Sequence, residues 1–126
     1  MAWWLVDGVG MQVNISSAAD LTQRLIDVSA SRPDAPTLTL QKESDRLMHI
    51  GVSKDIGYLN YVEGPNELSY VSIGDPDAKG TLWFSYAGSG SEIPLRHCLP
   101  MSLLLKGILE FYHTCAMPSS VRWEPD

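Results

Sequence analysis

Five short segments between residues 37 and 86 alternate apolar with polar residues and are separated by turn formers. This pattern constrains the fold more than any other feature of the chain. In Thr37 to Gln41, Leu38 and Leu40 share one face, and in Arg46 to Val52 Met48, Ile50 and Val52 do the same. Ile56 to Val62 and Glu67 to Ile73 follow, the second after Glu63-Gly64-Pro65-Asn66. Thr81 to Tyr86 then sets Leu82, Phe84 and Tyr86 on one face and Trp83 on the other. Side chains along a strand point alternately to opposite faces, so each segment has one row to bury. Strands joined by short links pair antiparallel, which predicts a meander.

Helical periodicity brackets the strands. Ser17 is placed to open a helix, with Asp20 three residues on as an imperfect capping box. Leu21, Leu25 and Val28 define its buried face, and Arg32-Pro33 ends it. A second helix is predicted over about 100 to 115. Leu104, Leu105, Ile108, Phe111, Tyr112 and Cys115 form its apolar stripe, and Lys106, Glu110 and His113 face water. Trp3 to Val6 and Met11 to Ile15, around Asp7-Gly8-Val9-Gly10, read as a hairpin. Val121 to Trp123 returns as a last strand, and Gly88-Ser89-Gly90-Ser91 reads as a flexible loop. The fold class expected is α+β: an antiparallel meander of about five to seven strands packed with two main helices, in one domain over residues 1–126.

Nine basic residues stand against fifteen acidic ones, a net charge of −6. Neutralising phosphates requires clustered Lys and Arg, so the balance argues against direct nucleic-acid binding. It suits a basic protein partner, and equally a mildly acidic protein with no such partner. No apolar run approaches the roughly 18 residues of a membrane span. The Met1 to Asp7 start is too short for a signal peptide and lacks a basic region, so the expected location is cytoplasmic. Cys98 and Cys115 flank the second helix, whose ends lie roughly 20 Å apart. A disulfide needs Cα atoms within about 7 Å, so both are expected as free thiols.

Candidate chemistries fail on spacing. His97, Cys98, His113 and Cys115 have the donor types for zinc. However, His113 and Cys115 diverge around the helix, and the two pairs sit at its opposite ends. Asp75-Pro76-Asp77-Ala78-Lys79-Gly80 begins like a calcium loop, but Lys79 replaces a ligand and Tyr86 stands where a bidentate Glu is needed, so it reads as a turn. Ser89 and Ser91 lack the glycines of a nucleophile elbow, and Gly8 and Gly10 lack the rest of a dinucleotide fingerprint. His49 lies alone in a strand and reads as structural or half-exposed. No catalytic, cofactor or metal residues are assigned. What remains is a set suited to a protein partner: Tyr58, Tyr61 and Trp83 as aromatic anchors, and Asp55, Glu63, Asp75, Asp77 and Glu92 as acidic groups that steer a basic surface. The bland reading of the same residues is core for the aromatics and solvated loop for the acids. A small enzyme using Glu63 or Glu92, or a general interaction module, is the alternative class.

The order of these elements resembles the first-numbered immunity-protein family of bacterial polymorphic toxin systems. The residues that carry the resemblance are Ser72, Gly74 and Asp75; Gly80 to Tyr86; Glu92, Ile93 and Pro94; Leu103 to Tyr112; and Pro118, Val121, Trp123 and Glu124. They cover about residues 45 to 124 in order, with a weaker match before that, and the departure is an insertion around Gly88 to Arg96 with His97-Cys98 before the helix. The resemblance implies an antidote that binds and neutralises a cognate antibacterial toxin, often of the nucleic-acid deaminase class, by covering its active site. The chain lacks the His-x-Glu and Pro-Cys-x-x-Cys of a zinc deaminase, which makes it the inhibitor in such a pair. The motif residues themselves read as fold-defining, and recognition is expected on loops and exposed strand faces, where specificity can differ between pairs.

Overall fold

The computed structural model describes residues 3–7, 12–66, 68–86 and 89–126. Among the described residues ten strands and two α-helices follow in the order β1 (Trp3–Asp7), β2 (Gln12–Ile15), α1 (Ala18–Ser31), β3 (Thr37–Gln41), β4 (Arg46–Val52), β5 (Ile56–Glu63), β6 (Leu68–Ile73), β7 (Thr81–Tyr86), β8 (Ser89–Pro94), β9 (Leu99–Pro100), α2 (Met101–Thr114) and β10 (Arg122–Pro125). The main sheet is antiparallel, in the order β10-β6-β5-β4-β3-β1-β2, with β9 pairing the start of β5. The meander expected from the alternation is β3-β4-β5-β6. The first hairpin pairs Trp3 with Ile15 and Val6 with Gln12, and its turn lies outside the described residues, as do Met11 and Glu67.

One face of the sheet carries the helices. Leu38, Leu40, Met48, Ile50, Leu59 and Tyr61 pack there with Leu21 and Leu25 of α1 and Leu104, Ile108 and Phe111 of α2. Removing this apolar surface from water is the main stabilising term. Ser17 caps α1 by accepting from the Asp20 amide at 3.1 Å, while the Asp20 carboxylate accepts from the Ser16 amide at 2.9 Å, so the capping box closes one residue early. Glu110 does not simply face water: its carboxylate accepts from the amides of Ser119 and Ser120 and so holds the segment leading to β10. Cys115 ends α2 in the left-handed conformation, and both cysteines are free.

The opposite face carries a second layer that alternation did not announce. Ser89, Gly90 and Ser91, expected in a flexible loop, form the first half of β8, paired residue by residue with β7 from Tyr86↔Ser89 to Thr81↔Pro94. Gly88 lies outside the described residues. Pairing with β7 imposes the extended state on a Ser-Gly-Ser run that has no apolar row of its own. The β7–β8 hairpin sits on the sheet through a small cluster of Tyr58, Phe84 and Cys98, joined by Ala35, Ile56, Leu82, Ile93 and Leu95. Phe84 meets Tyr58 edge-on at 4.9 Å between ring centres. The Ser85 amide donates to the Ala35 carbonyl, which ties β7 to the start of β3.

The Ser72, Gly74, Asp75 motif holds the corner where β6 leaves the sheet. Buried Ser72 accepts from the Leu59 amide at 3.0 Å and donates to the His97 carbonyl at 2.8 Å, binding β5 to the single 3₁₀ turn Leu95–His97. A Cβ on Gly74 would run into the Cys98 carbonyl. Asp75 turns the chain by accepting from the Asp77 amide at 3.0 Å. At the other end of the motif set, the Trp123 indole donates to the Pro118 carbonyl at 2.8 Å, and Glu124 takes both Arg96 and His97.

Candidate partner-binding surface

The two sheet faces decide which aromatic residues are available. Tyr61 faces the helices at 2% exposure and donates its hydroxyl to Glu63 at 2.7 Å. Burial, with the Glu63 carboxylate beside it, raises the pKa of this phenol. Tyr58 faces the hairpin at 9% exposure, its hydroxyl 3.2 Å from that of Thr37. Neither ring is on the surface, so both act in packing. Trp83 is the opposite case. It is 60% exposed on the outer face of the hairpin, directly across from Glu92, with its ring over Gly90. A Cβ at Gly90 would lie 2.7 Å from that ring, so the glycine lets the indole lie flat on β8.

The acidic residues separate into two regions. Asp55 is exposed at the start of β5, with its carbonyl accepting from the Met101 amide. Asp75 and Asp77 lie in the turn that follows β6, beyond the corner where that strand leaves the sheet. Both are exposed at the base of the hairpin. Glu63 lies at the far end of β5, roughly 25 Å away along the strand, and pairs with Arg46 at 3.6 Å. Glu63 is on the helix side of the sheet and Glu92 on the outer side of the hairpin, so the two carboxylates do not share a site.

A groove opens between the hairpin tip and the sheet. Thr37, His49, Tyr58, Asn60, Tyr86 and Ser91 line a cavity of about 260 Å³. Tyr86 overhangs it from β7, 47% exposed, its ring edge-on to His49 at 6.5 Å. His49 Nδ1 lies 2.9 Å from the Thr39 hydroxyl, and burial lowers its pKa, which keeps the ring neutral at pH 7. Asn60 donates its amide to the Ser69 hydroxyl at 2.8 Å and the Tyr70 carbonyl at 2.9 Å. Sequence reasoning read His49 as structural or half-exposed, and it is half-buried; it did not single out Asn60, Tyr86 or Thr37 as site residues. The available signal was the second row of β3, β4 and β5, where Thr37, Thr39, His49, Gly51, Tyr58 and Asn60 stand instead of the Lys and Glu of a solvent-facing row.

No arrangement for nucleophilic chemistry accompanies the groove. Burial pushes the Cys98 thiol up to about 11, which leaves it protonated and inert. His97 is engaged by Glu124 at 2.7 Å, and the described residues hold no group of three or more His, Cys, Asp or Glu side chains suited to a metal. No described helix is long and apolar enough to cross a membrane.

The family model for immunity protein Imm1 matches residues 10–125. The chain belongs to the Imm1 immunity-protein family. The match extends the motif set from the carboxy-terminal half back through α1 and β2. No curated protein matches the chain. Imm1 membership implies a toxin-immunity role, exercised as an inhibitor on a cognate toxin protein.

Proposed function

We propose that this Imm1 protein binds a cognate antibacterial toxin of the nucleic-acid deaminase class and neutralises it by covering its active site, in the cytoplasm of the cell that makes it. The family match over residues 10–125 is the observation that carries the reading. The surface supports it. Trp83 and Glu92 lie side by side on the exposed hairpin, Asp75 and Asp77 are exposed in the turn that leads into it, and Asp55 is exposed at the start of β5. A large amphipathic ring with a carboxylate beside it is suited to anchor and steer a basic partner. An enzyme that acts on nucleic acid needs a basic groove, and a chain of net charge −6 complements it. Tyr58 packs beneath the hairpin, whereas Tyr61, on the helix side of the sheet, and Glu63 lie outside this surface.

The test is co-expression with the product of the adjacent upstream gene in a bacterial host. That product is expected to be toxic alone, harmless with this chain, and co-purified with it. Base changes in the nucleic acid of intoxicated cells identify a deaminase. If the neighbour is toxic without base changes, the deaminase assignment is wrong and the immunity role stands. If it neither binds this chain nor is toxic in its absence, the immunity role itself fails.

A further inference from the structure

The groove beneath Tyr86 has a chemistry of its own. None of its six described lining residues carries a positive charge. Its acceptors are not used up. Asn60 is oriented by the Ser69 hydroxyl and the Tyr70 carbonyl, both on its Nδ2, and its Oδ1 makes no hydrogen bond within the described residues. The Tyr58 and Thr37 hydroxyls bond each other, which leaves lone pairs on both oxygens. One carboxylate stands behind the lining: Asp126 lies 3.3 Å from Ser69 and 3.5 Å from Asn60. The wall is the half-exposed Tyr86 ring.

We propose that this groove receives an arginine side chain presented by the cognate toxin, with its guanidinium against the Tyr86 ring and donating to Asn60 Oδ1 and to the Tyr58 and Thr37 hydroxyls. The inference rests on the toxin reading above and names the chemistry at one point of the contact. A planar guanidinium has five donors and stacks on aromatic faces, which matches acceptors spread over the floor of a groove with a ring as its wall. An ammonium offers a single point of charge and leaves part of that floor unpaired.

Two experiments test it. In an NMR titration of the free protein with N-acetyl-arginine amide, shifts are expected at the Asn60 side-chain amide, the His49 ring and the Tyr86 ring. The neutral citrulline counterpart is expected to leave them in place. Equal shifts with both probes, or shifts scattered over the surface, overturn the proposal. The second experiment measures affinity for the toxin encoded by the adjacent gene. Ser91 is exposed at the groove mouth, so replacing it does not disturb the core. Ser91→Lys is expected to weaken binding by at least about tenfold and Ser91→Glu to preserve it, with Tyr86→Ala also losing about tenfold. Equal losses for the two Ser91 variants mean a steric contact without charge selectivity and refute the arginine assignment. No loss in any variant places the contact elsewhere. A wild-type protein that fails to bind the toxin at all overturns the immunity reading, and the arginine titration then decides separately whether the groove has the proposed selectivity.

Discussion

Replacing Phe84 by alanine should release the β7–β8 hairpin while leaving the main sheet folded. Phe84 is 1% exposed, so the whole ring is lost from a packed site. Phe-to-Ala changes in cores cost about 3–5 kcal/mol, and the edge-on contact with Tyr58 places this one near about 4 kcal/mol. The cluster it belongs to is small and lies on the sheet face opposite the helices. The loss therefore falls on hairpin docking, shifting that equilibrium by several hundredfold. Native-state hydrogen exchange reads this directly. Amides in the β7–β8 ladder should lose protection by about that factor, while those of the β4–β5 ladder keep theirs. An equal fall in both ladders would show that hairpin and sheet unfold as one unit, and the two-layer reasoning would be wrong. Phe111→Ala, in the helix-side core, is the control in which every ladder should weaken together.

Further outcomes follow from the same geometry. Gly74→Ala should destabilise by about 2 kcal/mol or more, because the backbone carbonyl of Cys98 cannot move aside cheaply; a wild-type urea midpoint would contradict the close approach. Ser72→Ala should cost about 1–3 kcal/mol by stranding the buried Leu59 amide, measured by the same denaturation. The hydrogen bond from Arg32, with help from Ser85, holds the Asp34 carboxyl at about 2, below its unfolded value of about 3.9, so its contribution is present above pH 4 and lost as pH falls through 2. Asp34→Asn should therefore be slightly less stable than wild type at pH 7, by under about 1 kcal/mol for so exposed a pair, with the difference closing as pH falls below about 2. Association with the toxin should slow as ionic strength rises; salt-independent on-rates in stopped flow would mean that the acidic residues only solubilise the chain.

The parts legible in the sequence were those specified locally. Ser17 with Asp20 marked the start of α1, and the alternation of Met48, Ile50 and Val52 marked both a strand and its buried face. The second layer was not legible, because nothing local in Ser89-Gly90-Ser91 calls for a strand; its partner is β7, and the hairpin's seat is on residues up to fifty positions away, such as Ala35. For the same reason the sequence left Tyr58 open between a partner-binding anchor and a core residue. It occupies the row opposite Leu59 and Tyr61, and only the docked hairpin shows that this row is covered too. Trp83 was assigned correctly to the face opposite Phe84, but that it points to solvent depends on which side of the hairpin meets the sheet.

Strand β5 serves two separate interiors: Leu59 and Tyr61 belong to the helix side and Tyr58 to the hairpin side. Neighbouring positions in the chain are thereby under unrelated constraints. The side that supports the hairpin can drift in shape and charge from one lineage to the next, re-aiming Trp83, Tyr86 and the groove, without disturbing the helix-packed interior that keeps the molecule folded. A protein that must track a changing adversary gains from this separation, because a new specificity does not have to begin from a new fold.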